Sequence, residues 1–165
     1  MISKADFTAE EWGELLAAPL MAAMAVTAAD PSGLIGLIKE NFASAKALIA
    51  AKQSRTNELI KALIADLETS EGRAAARSAV EARFGHGTSN DIKSRALEAL
   101  RQAARITAQK APAQSGGFVS WLRELAKTVS EASSEGGFMG FGGITVSEAE
   151  KATLAEIDRA LAETT

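Results

Sequence analysis

Apolar side chains recur at intervals of three and four through most of this chain, the spacing that gathers them on one side of an α-helix. In the first such stretch Trp12, Leu16, Leu20, Ala23 and Thr27 form the stripe, and Leu15, Ala22 and Val26 widen it to nearly the whole circumference. A helix that is apolar all round belongs in the middle of a bundle. Its start is signalled by Thr8 with Glu11 three residues on, a capping box, and by Phe7 ahead of the cap opposite Trp12, a hydrophobic staple. A helix is therefore expected from about residue 9, with Pro19 kinking its interior because proline removes a backbone hydrogen bond. Asp30-Pro31-Ser32-Gly33 is turn chemistry and closes the helix near Ala29.

The same periodicity continues. Leu34, Ile35, Ile38, Phe42, Ala45 and Ile49 share a side, and the stripe resumes at Leu59, Ile60, Leu63, Ile64 and Leu67 after the polar patch Lys52 to Asn57. One helix across the whole interval would be unusually long, so a kink or short turn is expected in the patch. Ser70-Glu71-Gly72 opens a helix with Ala76, Val80 and Phe84, which stops at Gly85-His86-Gly87. Ser89-Asn90-Asp91 caps the next, whose inward residues are Ile92, Ala96, Leu97, Leu100, Ala104 and Ile106 and which ends before Pro112. Ser115-Gly116-Gly117 reads as a hinge or tight connection, followed by a stripe of Phe118, Trp121, Leu122, Leu125, Val129 and Ala132. Ser147 with Glu150 repeats the capping-box signature for a last helix with Leu154, Ile157 and Leu161 inside.

One stretch breaks the pattern. Residues 136–143 hold five glycines with Phe138, Met139 and Phe141 among them, a composition that forbids regular helix. Two roles are open for these three side chains. They fold back to plug the end of the bundle, or they project as an apolar tip into a partner's groove or a membrane interface.

Composition narrows the class. Hydrophobic residues make up 47% and charged residues 24% of 165, with no tyrosine and 5% aromatic. Much of the apolar share is alanine, so the expected fold is all-α, a single domain over residues 1–165 whose six to seven helices pack through short side chains. The absence of cysteine removes disulfides, thiolate nucleophiles and Cys-based zinc sites. Lys4 and Asp6 followed by Thr8-Ala9-Glu10-Glu11 argue against a signal peptide. The uncharged run Leu15 to Ala29, 15 residues broken by Pro19, falls short of the roughly 20 a membrane span needs. The expected location is cytoplasmic.

Charge is uneven along the chain. Residues 1–71 hold 6 basic and 10 acidic residues, residues 72–110 hold 8 and 3, and residues 111–165 hold 4 and 8. The basic middle contains Arg73 and Arg77, four apart, and Arg101 and Arg105, likewise four apart, so each pair shares a helix face. Such faces attract anionic polymers or a membrane surface. Nucleic acid is nonetheless disfavoured as a partner, because no reading motif or aromatic interleaving accompanies the arginines. The competing reading is a solvated face paired with the acidic thirds of the same molecule.

The glycine stretch lacks GxxxxGK[ST] and any lysine or arginine, which excludes a nucleotide loop of that type. No GxSxG occurs, and the single histidine, His86, reads as a turn residue beyond a helix end. The layout at the two ends of the chain is alike: an aromatic entry (Phe7 and Trp12; Phe118 and Trp121), a helix, a glycine-bearing acidic turn and another helix, as an internal duplication would leave. Met24-Ala25-Val26-Thr27-Ala28-Ala29-Asp30 and Gly143-Ile144-Thr145-Val146-Ser147-Glu148-Ala149-Glu150 together resemble the twice-repeated helix, acidic turn and helix of the TerB-like family, associated with tellurite resistance and stress operons. Pro31 and Ser32 separate Asp30 from Gly33, and Gly142 stands where the family's second Asp would be. The resemblance implies a divalent cation held by acidic residues of these turns, here Asp30, Glu148 and Glu150. On the residues themselves, Glu148 and Glu150 equally suit a helix start, and Asp30 a turn.

The reading that follows is a non-enzymatic, stress-associated interaction module acting through Phe138, Met139 and Phe141 on another protein. A membrane surface and a second copy of the chain are further candidate partners. The alternatives are a divalent-metal protein using Asp30, Glu148 and Glu150, and an anionic-polymer or membrane-surface binder using Arg73, Arg77, Arg101 and Arg105.

Overall fold

The capping box at the first helix forms as its spacing predicts. The Thr8 backbone N–H donates to Glu11 Oε2 at 2.8 Å, and the Glu11 N–H donates to Thr8 Oγ1 at 3.1 Å. The backbone hydrogen bond from Thr8 holds the Glu11 carboxyl below its ordinary range against opposing desolvation, with Lys110 adding to the effect. Phe7 and Trp12 make the staple, their ring centroids 5.4 Å apart and tilted by 41°.

The computed structural model describes residues 2–29, 57–84, 89–135 and 148–163. Among them are six α-helices and no strand: α1 (Ala9–Ala29), α2 (Glu58–Leu67), α3 (Ser70–Phe84), α4 (Ser89–Lys110), α5 (Pro112–Glu135) and α6 (Glu148–Ala162), with a short 3₁₀ turn, Lys4–Asp6, ahead of α1. The bundle is all-α as expected. The predicted helix over 34–49, the polar patch at 52–56, the turn holding His86, the glycine stretch and Ser147 lie outside the described residues.

α1 packs against all five other helices, most extensively against α4. Its Leu15, Ala17, Met21, Ala22 and Ala25 are fully buried, and α4 contributes Ala96, Ala103 and Ala104, equally buried. Alanine on both helices lets their backbones approach closely, which is how a chain poor in aromatics fills its interior. The expected stripe needs one adjustment: Leu20 and Ala23 are only half-buried, while Ala18 and Met21 take the inner positions. α1 runs continuously through Pro19, whose ring is buried.

α2 begins at Asn57, whose backbone is extended (φ −100°, ψ 113°) and whose Oδ1 accepts from the Ile60 N–H at 3.0 Å. A helix therefore starts afresh here and does not pass through from upstream. α3 is capped by Thr69, whose Oγ1 accepts from the Gly72 N–H at 2.9 Å.

The expected hinge at Ser115-Gly116-Gly117 is corrected by the structure. α5 runs straight through these residues from Pro112, and the connection from α4 is the single residue Ala111. Proline at the first helical position supplies the break, since its missing N–H costs nothing there. Gly117 serves a different purpose. The Asn57 Nδ2 donates to the Gln114 carbonyl at 2.9 Å, so its amide lies over α5, and a Cβ at position 117 would run into it. Gln114 Oε1 accepts a second hydrogen bond, from the Glu58 N–H at 3.0 Å.

Candidate functional site

Ion pairs tie much of the basic middle of the chain to the rest of the molecule. Arg83 pairs with Glu14 at 3.0 Å, Lys93 with Glu156 at 2.7 Å, Arg101 with Glu163 at 2.8 Å and Lys110 with Glu11 at 3.4 Å. Each links the basic middle to one of the acidic thirds. The pairs from Lys93 and Arg101 also show that α4 and α6 run parallel. Arg73 donates to the Leu67 and Glu68 carbonyls at 3.3 and 2.7 Å, and Arg95 to those of Arg83 and Phe84 at 3.2 and 2.9 Å, so both serve helix C-termini.

Of the four arginines singled out above, Arg73 and Arg101 are thus engaged within the molecule. Arg77 and Arg105 are exposed and make no ion pair among the described residues.

The acidic residues of α6 do not converge. Glu148 opens the helix with its side chain 90% exposed and accepts from Lys151 Nζ at 2.8 Å, a hydrogen bond that lowers its carboxyl below the ordinary range. Glu150 is 3% exposed. Two positions along a helix face opposite ways, which separates these carboxylates. Asp30 lies outside the described residues, as do Phe138, Met139 and Phe141. Among the described residues no three His, Cys, Asp or Glu side chains gather as a metal site. Nor is any described helix long and apolar enough to cross a membrane.

A feature that sequence reading passed over is a shallow concavity of about 320 Å³ between the segment Ile2–Lys4 and Trp12, Ala62, Ala65, Asp66 and Thr69. Its floor is apolar and its chemistry is concentrated in one carboxylate. Asp66 Oδ2 accepts from Trp12 Nε1 at 2.6 Å and from Lys4 Nζ at 3.0 Å, while Thr69 Oγ1 donates to the Asp66 backbone carbonyl at 2.7 Å. Desolvation raises the Asp66 carboxyl, but the hydrogen bonds from Trp12 and Lys4 and the Lys4 charge outweigh it and leave it below the ordinary 3.8. The sequence carried half of this signal. A tryptophan buried in the first turn of a helix needs an acceptor for its indole N–H, but nothing local says which.

The pH consequence follows from the direction of that shift. A lowered folded-state value means that the Asp66 contribution to stability is fully present above about pH 4 and is lost as pH falls through the folded value. Urea midpoints between pH 6 and pH 2 are expected to fall less steeply for Asp66→Asn than for the native chain. Identical slopes would show that Asp66 titrates alike folded and unfolded.

Compared with models of known protein families, with characterised proteins and with solved structures, the chain matches none.

Proposed function

We propose that this chain is a non-enzymatic helical interaction module that binds another protein through Phe138, Met139 and Phe141. The observation that carries the reading is the anchoring of the two helices flanking these residues. α5 buries Phe118, Trp121, Leu122 and Ala126, and α6 buries Ile157, Ala160 and Leu161. Arg123 clamps the pair to each other through Asp158 at 3.0 Å. The connection between them, residues 136–147, concentrates Phe138, Met139, Phe141 and five glycines between two helices that are each anchored in the core.

Apolar side chains carried on a connection between two anchored helices are a common basis of protein association where they face outward. The proposed affiliation is with the TerB-like, stress-associated helical proteins, on the strength of the turn residues around Asp30 and 143–150.

Replacing Phe138 and Phe141 together by serine is the test. The expected result is an unchanged melting temperature with loss of co-purifying partner. A melting temperature lowered by many degrees would assign these side chains to the core and overturn the proposal. Retention on liposomes, lost in the double variant, would redirect it from a protein to a membrane surface.

A further inference from the structure

The 3₁₀ turn Lys4–Asp6 is bonded mainly to itself. The Ser3 N–H and Oγ both donate to Asp6 Oδ2, at 2.7 and 3.1 Å. The Asp6 N–H reaches the Ser3 carbonyl at 3.1 Å and the Phe7 N–H the Lys4 carbonyl at 3.2 Å. All of these bonds would survive if the turn swung away as a unit.

Its attachment to the bundle is much thinner. Phe7 is buried and packed against Trp12, so it is the natural pivot. Beyond that pivot the turn is held by partly buried Ile2 and by Lys4 Nζ on Asp66 Oδ2. Lys4 is 57% exposed, and an ion pair with one partner largely in water is weak. Asp66 does not depend on it, since the shorter bond from Trp12 Nε1 keeps the carboxylate aimed at the same place.

We propose that the segment Ile2–Asp6 is a strap latched on Asp66, which opens about Phe7 to widen the concavity it lines and expose more of Trp12 and Ala62. Opening breaks one ion pair with a largely exposed lysine and one aliphatic contact while leaving the packing of the six helices on one another in place, the pattern of a local fluctuation. In the open state Asp66 retains its indole partner and presents a carboxylate free of Lys4 beside an apolar surface. The inference concerns a face of the bundle built from α1 and α2 and is independent of the reading for Phe138 and Phe141.

The chain has no cysteine, so a single reporter can be placed on the strap. Ala5→Cys, at an exposed position, labelled with bimane, reads proximity to Trp12 by tryptophan quenching. Lys4→Met in this labelled chain is expected to brighten the bimane roughly twofold, as a mostly closed population becomes about half open, with far-UV circular dichroism and melting unchanged. Asp66→Asn should brighten it as well. High salt should brighten the native sequence and leave the Lys4→Met chain unaffected, because only the former has a charge pair to screen. Unchanged quenching in Lys4→Met would overturn the latch, and so would brightening that appears only together with loss of helix.

Discussion

Trp12→Ala is expected to destabilise the bundle by about 3–5 kcal/mol, the range for removing a large buried aromatic side chain. Three separate losses converge on this residue. It is 2% exposed in the core, its ring carries the contact with Phe7, and its indole N–H is the shortest donor to Asp66. Trp12→Phe separates them. It keeps an aromatic ring for Phe7 but leaves the part-buried Asp66 carboxylate without its indole donor, at a cost of about 1–3 kcal/mol. Chemical denaturation of both variants at neutral pH makes the comparison. A loss of less than about 1 kcal/mol for Trp12→Ala would mean that the site collapses freely around the vacancy.

Gly72→Ala is expected to destabilise even though alanine favours helix over glycine by about 1 kcal/mol. Gly72 is buried in the first turn of α3, and a Cβ there would overlap the Asp66 backbone carbonyl. The obstacle is backbone and cannot rotate aside, so α2 and α3 must separate. Overpacking of this kind costs about 1–3 kcal/mol and outweighs the propensity gain. Gly116→Ala is the control of opposite sign. Gly116 lies inside α5, exposed, with nothing within 4 Å of an added Cβ, so the same exchange should stabilise by about 0.5–1 kcal/mol. Thermal melts of the two variants side by side test whether space or propensity governs each position.

The contrast between these glycines explains where sequence reading succeeded and failed. Gly116-Gly117 invited a hinge because two glycines weaken a helix, yet α5 passes through both. Gly117 leaves room for the Asn57 amide, which arrives from 57 positions away in the chain to reach Gln114. Nothing near residue 117 announces that approach. The basic middle shows the same division: its charge was countable, but its pairing with Glu11, Glu14, Glu156 and Glu163 needed the helices brought together.

What the sequence determined by itself was everything that acts over three or four residues. The Thr8–Glu11 box, the Phe7–Trp12 staple, the break at Pro112 and the inward stripes of α4, α5 and α6 all rest on side chains that are neighbours along one helix, where spacing alone sets geometry. The tertiary structure decided which of those faces meet and which polar groups answer one another. Asp66 finds Trp12 at a separation of 54 residues and Lys4 at 62. A carboxylate selects partners by distance in space, and the distances between helices are set by how closely their alanines allow the backbones to pack, a property of the assembled bundle and of no single stretch within it.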